Sequence, residues 1–344
     1  INSDIQKSDG NRSFRLRDFV TYGDAIRIKL PYKDSEDASN QYIWIENHQG
    51  SSNDKLDYLQ FANTNETCRP QDADGVYMYY QVGRDILSGN DVYNYNERDN
   101  LRMIPAEGYW NYTVNDYPLG YNMSCVSGAN HYWYIPENSN NITLAMEYSM
   151  WRKTIGNNDI DSLVANGDTR DAFKTHRTIN MGTNPSTCNT KAFYNSNDYP
   201  YTLNSTLNPK CQEKNNRTTY LTGLGIEVIP QSNGTARINV RWDDYDIRND
   251  ARWTGRIVLK ETAILDTGCN ILLLQNRTPA QVTRDDISGY FAPTTTMICE
   301  SGSNFVQQYA SEVRLIEKSS LVLEGGCRYE VGNGASLVID STAS

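Results

Sequence analysis

From Phe305 onward the chain repeats itself every eight residues, and few folds can use so short a period. Phe305, Val313, Leu321, Tyr329 and Leu337 share one phase. Gln307, Leu315, Leu323, Val331 and Ile339 follow two positions later, and Ser303, Ser311, Ser319, Cys327 and Ala335 hold a third phase with small side chains. Large residues two apart lie on one face of a strand, and a small residue fits where the chain bends. Eight residues are too few for a helical hairpin but enough for a short strand and a turn. The repeat therefore predicts a C-terminal β-solenoid-like stack, or a tight meander, over residues 296–344. It reaches Ser344 with no capping helix and no charged terminal strand. The expectation is an open strand edge, to be covered by further chain beyond 344 or by a partner.

Upstream, alternation with period two recurs. In 14–30, Ala25, Arg27 and Lys29 alternate with Ile26, Ile28 and Leu30, the mark of half-buried strands. Residues 42–48, 56–62, 76–82, 101–105, 109–114, 131–136, 219–230, 236–242 and 253–275 read as further strands, and 159–176 as one short helix. The 24 Tyr against 7 Phe, with abundant Asn, Ser and Thr, suit pleated surfaces and the turns between them. The predicted class is all-β: a β-sandwich or jelly-roll-like body over 1–295, with a long loop at 183–217, followed by the repeat element.

Charge and hydropathy narrow the partners. The net charge is −10 and the pI about 4.9. There is no cluster of Lys and Arg to follow a phosphate backbone, so nucleic acid is not an expected partner. The longest apolar runs fall short of the roughly 20 residues that span a bilayer. Ile1 opens a polar stretch without the apolar core of a signal peptide, which predicts a processed end or a fragment boundary.

No HExxH, GxSxG, P-loop or GxGxxG occurs, so a non-catalytic chain is expected. Asp266-Thr267-Gly268 follows an apolar run as in aspartic proteases, but no second such triplet faces it, and the triplet also suits an ordinary turn. His48 and His131 sit among aromatic strand residues and read as packing residues. Asp243, Asp244, Asp246 and Asp250 could offer oxygen ligands to Ca²⁺, although the EF-hand order is not matched; the alternative is a solvated turn with Arg248 and Arg252 as counter-charges. No other cofactor is suggested. None of the seven cysteines forms CxxC; in an extracellular chain Cys188 with Cys211, and Cys68 with Cys125, are candidate disulfides. Trp110, Trp133 and Tyr134 are candidates for stacking on a glycan. Asn-x-Ser/Thr triplets begin at Asn11, Asn65, Asn111, Asn122, Asn141, Asn204, Asn216, Asn233 and Asn276, as an Asn-rich chain gives by chance.

Three stretches carry a resemblance. FRLRDFVTYGDAIRIKLP with YIWIENHQ, and WDDYDIRNDARWTGRIVL with LDTGCNILLLQNRTP, resemble the region after the catalytic domain of secreted M6-like (immune-inhibitor-A-like) metallopeptidases of Bacteroidota. SSLVLEGGCRYEVGNGASLVI is similar to strand stretches before sorting domains in type IX secretion cargo. The resemblance implies an extracellular or outer-surface location, and O-glycosylation at Ser162 and Ser341 in Asp-Ser contexts. The family's metal-binding motif is not in this chain, so its protease activity does not transfer. The expected function is a cell-surface structural protein that assembles with itself or with other surface components through its C-terminal edge. The alternative is an ancillary glycan- or protein-binding region of a secreted peptidase.

Overall fold

Ala236, Ile238 and Val240 are buried while Arg237, Asn239 and Arg241 face outward, so one strand sorts its apolar and polar residues onto opposite faces. The computed structural model describes residues 4–33, 40–49, 74–82, 101–104, 106, 110–111, 145–146, 153–155, 158–160, 172–183, 185–188, 218–253, 256–273, 295–316, 319–341 and 343. Strands dominate them, and the all-β class holds.

The first strands are β1 (Arg12–Leu16), β2 (Ala25–Lys29), β3 (Gln41–His48), β4 (Gly75–Val82) and β5 (Leu101–Ile104). Between β1 and β2 lies a one-turn helix, α1 (Phe19–Tyr22), where strand was expected. Asp18 caps it by accepting from the Thr21 N–H at 2.9 Å, and Gly23 closes it in the left-handed region at φ 69°. Two short antiparallel pairs follow, β6 (Trp110–Asn111) with β7 (Ala145–Met146), and β8 (Lys153–Ile155) with β9 (Asn158–Ile160). Next come β10 (Arg177–Ile179), β11 (Thr219–Leu221), β12 (Gly225–Pro230) and β13 (Ala236–Arg241). The helix expected over 159–176 is not seen at either described end. Residues 158–160 are strand, and Phe173 bridges Val76 at the sheet edge.

Strands β2-β3-β4-β5 form one antiparallel sheet and β1-β13-β12-β10 another. Ile28, Ile43, Ile45, Met78 and Tyr80 from the first share one core with Leu16, Ile226, Val228, Ile238 and Val240 from the second. This is the sandwich body. The first sheet is a plain meander, not a jelly-roll order.

The remaining strands are β14 (Asp246–Ile247), β15 (Ala251–Trp253), β16 (Arg256–Leu259), β17 (Thr262–Leu265), β18 (Asn270–Leu273), β19 (Thr295–Cys299), β20 (Asn304–Gln307), β21 (Glu312–Leu315), β22 (Ser319–Leu323), β23 (Arg328–Val331) and β24 (Ser336–Ile339). With β11 they build three sheets, β11-β16-β19-β22, β14-β17-β20-β23 and β15-β18-β21-β24. Every pairing is parallel, whereas a meander of hairpins would pair antiparallel. The chain thus winds as a coil, one strand per sheet in each turn, or rung. Met297 pairs with Leu321, Phe305 with Tyr329 and Val313 with Leu337, each 24 residues apart. Three eight-residue units make one rung. The stack also takes in β14–β18, upstream of residue 296, and its first rung is interrupted by the β12–β13 hairpin, which belongs to the sandwich.

The corners share one backbone solution. Ser303, Ser311, Cys327 and Ala335 donate their N–H groups to the carbonyls of Glu300, Gln308, Glu324 and Gly332. The residue before each, Gly302, Ala310, Gly326 or Gly334, has positive φ. A turn with positive φ at its third position favours glycine. Ala310, at φ 54°, is the non-glycine in that region among the described residues. Ala310→Gly is expected to raise unfolding free energy by about 0.5–1 kcal/mol, and Gly302→Ala to lower it by about 1–2 kcal/mol, as read by urea denaturation.

Candidate functional site

The coil differs at its two ends, and the difference defines the candidate site. Rung three points Met297, Cys299, Phe305, Gln307, Val313 and Leu315 inward, and all six are fully buried. Rung four points Leu321, Leu323, Tyr329, Val331, Leu337 and Ile339 inward at the paired positions. Leu323, Val331 and Ile339 are 50%, 49% and 51% exposed, whereas their rung-three counterparts Cys299, Gln307 and Leu315 are 0% exposed. The residue types are comparable, so the change follows from rung four's place as the last described rung.

Rung four is nonetheless ordered by rung three. Tyr329 stacks on Phe305 with ring centroids 5.0 Å apart and planes 17° apart. The Tyr329 hydroxyl donates to Gln307 Oε1 at 2.9 Å, and Gln307 Nε2 donates to the Ser336 carbonyl at 3.0 Å. A buried amide is thereby satisfied from the rung below. Burial raises the Tyr329 phenol above its ordinary pKa.

The first end of the coil is covered. Met181 and Cys188 join Leu221 and Ile247 in the coil's core. Gly182 lies so close to Ile247 that a Cβ there would sit 2.5 Å from a methyl carbon. Asn180 Nδ2 donates to the Asp246 carbonyl at 2.7 Å and to Asp244 Oδ1 at 3.1 Å. Beside this lies a polar seam with the sandwich. Glu261 Oε1 accepts from Lys7 and, at 2.5 Å, from the Tyr32 hydroxyl. Lys260 pairs with Glu300 at 2.7 Å and stands 5.7 Å and 5.5 Å from the ring centroids of Tyr32 and Tyr220.

The candidate Ca²⁺ ligands are not brought together. Asp243 takes Arg241 and Asn11, Asp244 takes Asn180 and Arg248, Asp246 takes Arg248, and Asp250 caps the Asn270 amide at 2.8 Å. Among the described residues no group of three or more His, Cys, Asp or Glu could hold a metal. Asp266-Thr267-Gly268 is a coil corner, with Gly268 at φ 73° and the Cys269 N–H bonded to the Asp266 carbonyl. Burial, with Asp246 and Asp244 nearby, raises the Asp266 carboxyl above its usual range.

Cys188 is a free, buried thiol, so the expected bridge to Cys211 is not formed; burial pushes its pKa up to about 11. Its sulfur fills the covered end of the coil, away from any loop-pinning role. Cys269, Cys299 and Cys327 are also free. His48 packs edge-on to Tyr77 and pairs with Glu46 at 2.9 Å, a packing role as expected. Ser341 is exposed, its hydroxyl 3.4 Å from Asp340. Trp110 lies in β6. Cys68, Cys125, Cys211, His131, Trp133, Tyr134 and Ser162 lie outside the described residues. Among the described residues no helix is long and apolar enough to cross a membrane. Sequence reasoning located the last described rung through its period, missed Met181 and Glu261, for which no periodic signal exists, and gave Cys188 a bridging role in place of its packing one.

Compared with known proteins, the chain matches no family model, no curated protein and no solved structure.

Two outcomes follow for stability. Leu315→Ala should cost about 2–5 kcal/mol and Leu323→Ala less than half of that, by chemical denaturation of both variants. Burial also raises Cys299 to about 12. A thiol whose folded pKa lies above its unfolded value leaves stability intact below the ordinary pKa of 9.0 and lowers it as pH rises through the folded values of about 11 and about 12. Replacing both Cys188 and Cys299 by Ala should flatten the loss of Tm between pH 9 and 11, measured by scanning fluorimetry.

Proposed function

We propose that this chain is a non-catalytic extracellular structural module that joins other β structure through rung four of its coil. One observation carries the reading: three inward side chains about half exposed where the rung above has none exposed. Large apolar side chains aimed into a stack are stable neighbours for another layer of strands and poor neighbours for water. The three strand edges of the same rung add unpaired N–H and C=O groups, the usual template for strand addition. The acidic surface, at a net charge of −10, keeps bodies apart except where such a site draws them together. The likeness of the sequence to post-catalytic and pre-sorting regions of secreted proteins supports an extracellular or outer-surface setting, with other surface components as partners.

The sandwich serves in this reading as the displayed body and the coil as its attachment. Static light scattering across a concentration series is expected to show a molar mass rising above the 39.1 kDa of one chain. A constant monomer mass at millimolar concentration would overturn the assembly reading.

A further inference from the structure

We infer that the outer face of the β1–β13 pair binds an oxyanion carried on a sugar, a uronate carboxylate or a sulfate ester, clamped between Arg15 and Arg237. The site belongs to the sandwich and needs nothing from rung four.

Register sets the two arginines side by side. Arg15 in β1 is the antiparallel partner of Arg237 in β13. Their neighbours Leu16, Ala236 and Ile238 are buried, so both arginines point to solvent, and both are exposed. Residues directly opposite on one face hold their Cβ atoms about 4.5–5.5 Å apart, and like charges there repel. The chain has 42 acidic residues against 32 basic ones, so a counter-charge would be easy to supply. Other arginines in and beside these strands have one. Arg17 grips Asp24 through two hydrogen bonds of 2.8 Å and 3.0 Å, Arg241 pairs with Asp243 at 3.2 Å, and Arg12 with Asp9 at 3.7 Å. Among the described residues no carboxylate comes within ion-pair distance of Arg15 or Arg237.

The surroundings keep the pair available. Glu227 lies in the next cross-strand row, with Asn239 and Ser13. Both its oxygens are taken: Oε1 meets His176 Nε2 at 2.7 Å, and Oε2 accepts from Asn239 Nδ2 at 2.6 Å. Arg15 is held in place by its inner nitrogen. Its Nε donates to Thr235 Oγ1 at 3.3 Å, and that hydroxyl donates to Asn233 Oδ1 at 2.7 Å. The two terminal amino groups are left for another acceptor. Two guanidinium forks across one inter-strand gap match a single oxyanion.

The same face selects the carrier. Ser13, Asn239 and Thr235 offer hydroxyl and amide groups of the kind that meet sugar hydroxyls. The row of Arg15, Arg237 and Ile229 and the row of Ser13, Asn239 and Glu227 carry no aromatic ring on which a nucleic-acid base would stack. A net charge of −10 also repels a dense phosphate backbone. An acidic peptide would want backbone partners, and β13 has already spent its own on β1 and β12.

Isothermal titration calorimetry of the full chain tests this with three sugars: a uronic-acid hexasaccharide, the same sugar with its carboxyls reduced to alcohols, and a sulfated neutral hexasaccharide. One or both charged sugars should bind and the reduced one should not. Binding of the uronate alone names the carboxylate as the source, and binding of the sulfated sugar alone names the ester. Arg15→Ala and Arg237→Ala should each weaken binding about tenfold. Arg15→Lys should weaken it nearly as much, since it keeps the charge and loses the fork. Arg241→Ala removes the same charge outside the clamp and should leave the affinity unchanged; circular dichroism checks that each variant folds. Four results would overturn the inference: no binding of either charged sugar, equal binding of the reduced sugar, an equal loss with Arg241→Ala, or tighter binding of a single-stranded oligonucleotide or polyglutamate through the same two arginines.

Discussion

The fold depends on inward side chains standing directly above one another from rung to rung, at a 24-residue spacing between rungs three and four. Parallel strands pair in register, so every inward residue meets its counterpart in the next rung. Ala263, Phe305 and Tyr329 form one such column, and Ile271, Val313 and Leu337 another. A one-residue slip would turn a whole strand's apolar set outward. The corners prevent that slip. The bends that end at Cys269, Ser303, Ser311, Cys327 and Ala335 close with the same hydrogen bond and a left-handed residue just before a small one, so the strand after each starts in the same phase. The small side chain matters because Ser303, Ser311 and Ser319 are themselves buried. A larger residue there would compete with the columns for space.

The sandwich and coil are not two bodies in series. The chain enters the coil at β11, leaves it to add β12 and β13 to the sandwich, and returns at β14. That crossing lets the sandwich side supply the cover that the first rung needs. Met181 and Cys188 enter the coil's core from the segment after β10, and Asn180 holds the segment in place through two hydrogen bonds. Covering a coil end with a connected segment avoids most of the entropy a separate partner would lose. The polar seam of Glu261, Tyr32, Lys7 and Lys260 lies on the same side, where Lys260 is held between a carboxylate and two rings.

Much of this was legible in the sequence, and the omissions have causes. The alternation at Ile26, Ile28, Ile238 and Val240 marks the sandwich because one face of each sheet is wet. The eight-residue period marks rungs three and four because nothing interrupts them. Rung two carries the same inward pattern in Ile257, Leu259, Ala263, Leu265, Ile271 and Leu273, and rung one contributes Leu221 and Ile247. They are hidden because residues 274–294 and the β12–β13 hairpin break the period. Parallel pairing itself leaves no local trace, since an eight-residue strand-and-turn unit suits a hairpin as well. The four aspartates illustrate the opposite failure. Crowding in sequence suggested a shared ligand, but protein donors take these carboxylates: Arg248 holds Asp244 and Asp246, Arg241 takes Asp243 and Asn270 takes Asp250. Cys188 escaped for a related reason: its place in the coil core depends on a segment that carries no period.

Magnitudes decide what kind of contact rung four can make. Fully burying a Leu, Val or Ile side chain gains about 1.5–3 kcal/mol, and Leu323, Val331 and Ile339 are already about half covered. Completing their burial therefore gains about 2–4 kcal/mol for the three together. Association of two free bodies costs about 4–15 kcal/mol. Burial of these three side chains by itself does not meet that cost, and hydrogen bonds to the three strand edges would add about 0.5–1.5 kcal/mol each. A flat hydrophobic surface or a lone helix would leave those edges unpaired. A further layer of three strands at the same spacing would satisfy both demands at once, whether it came from the same chain or from another.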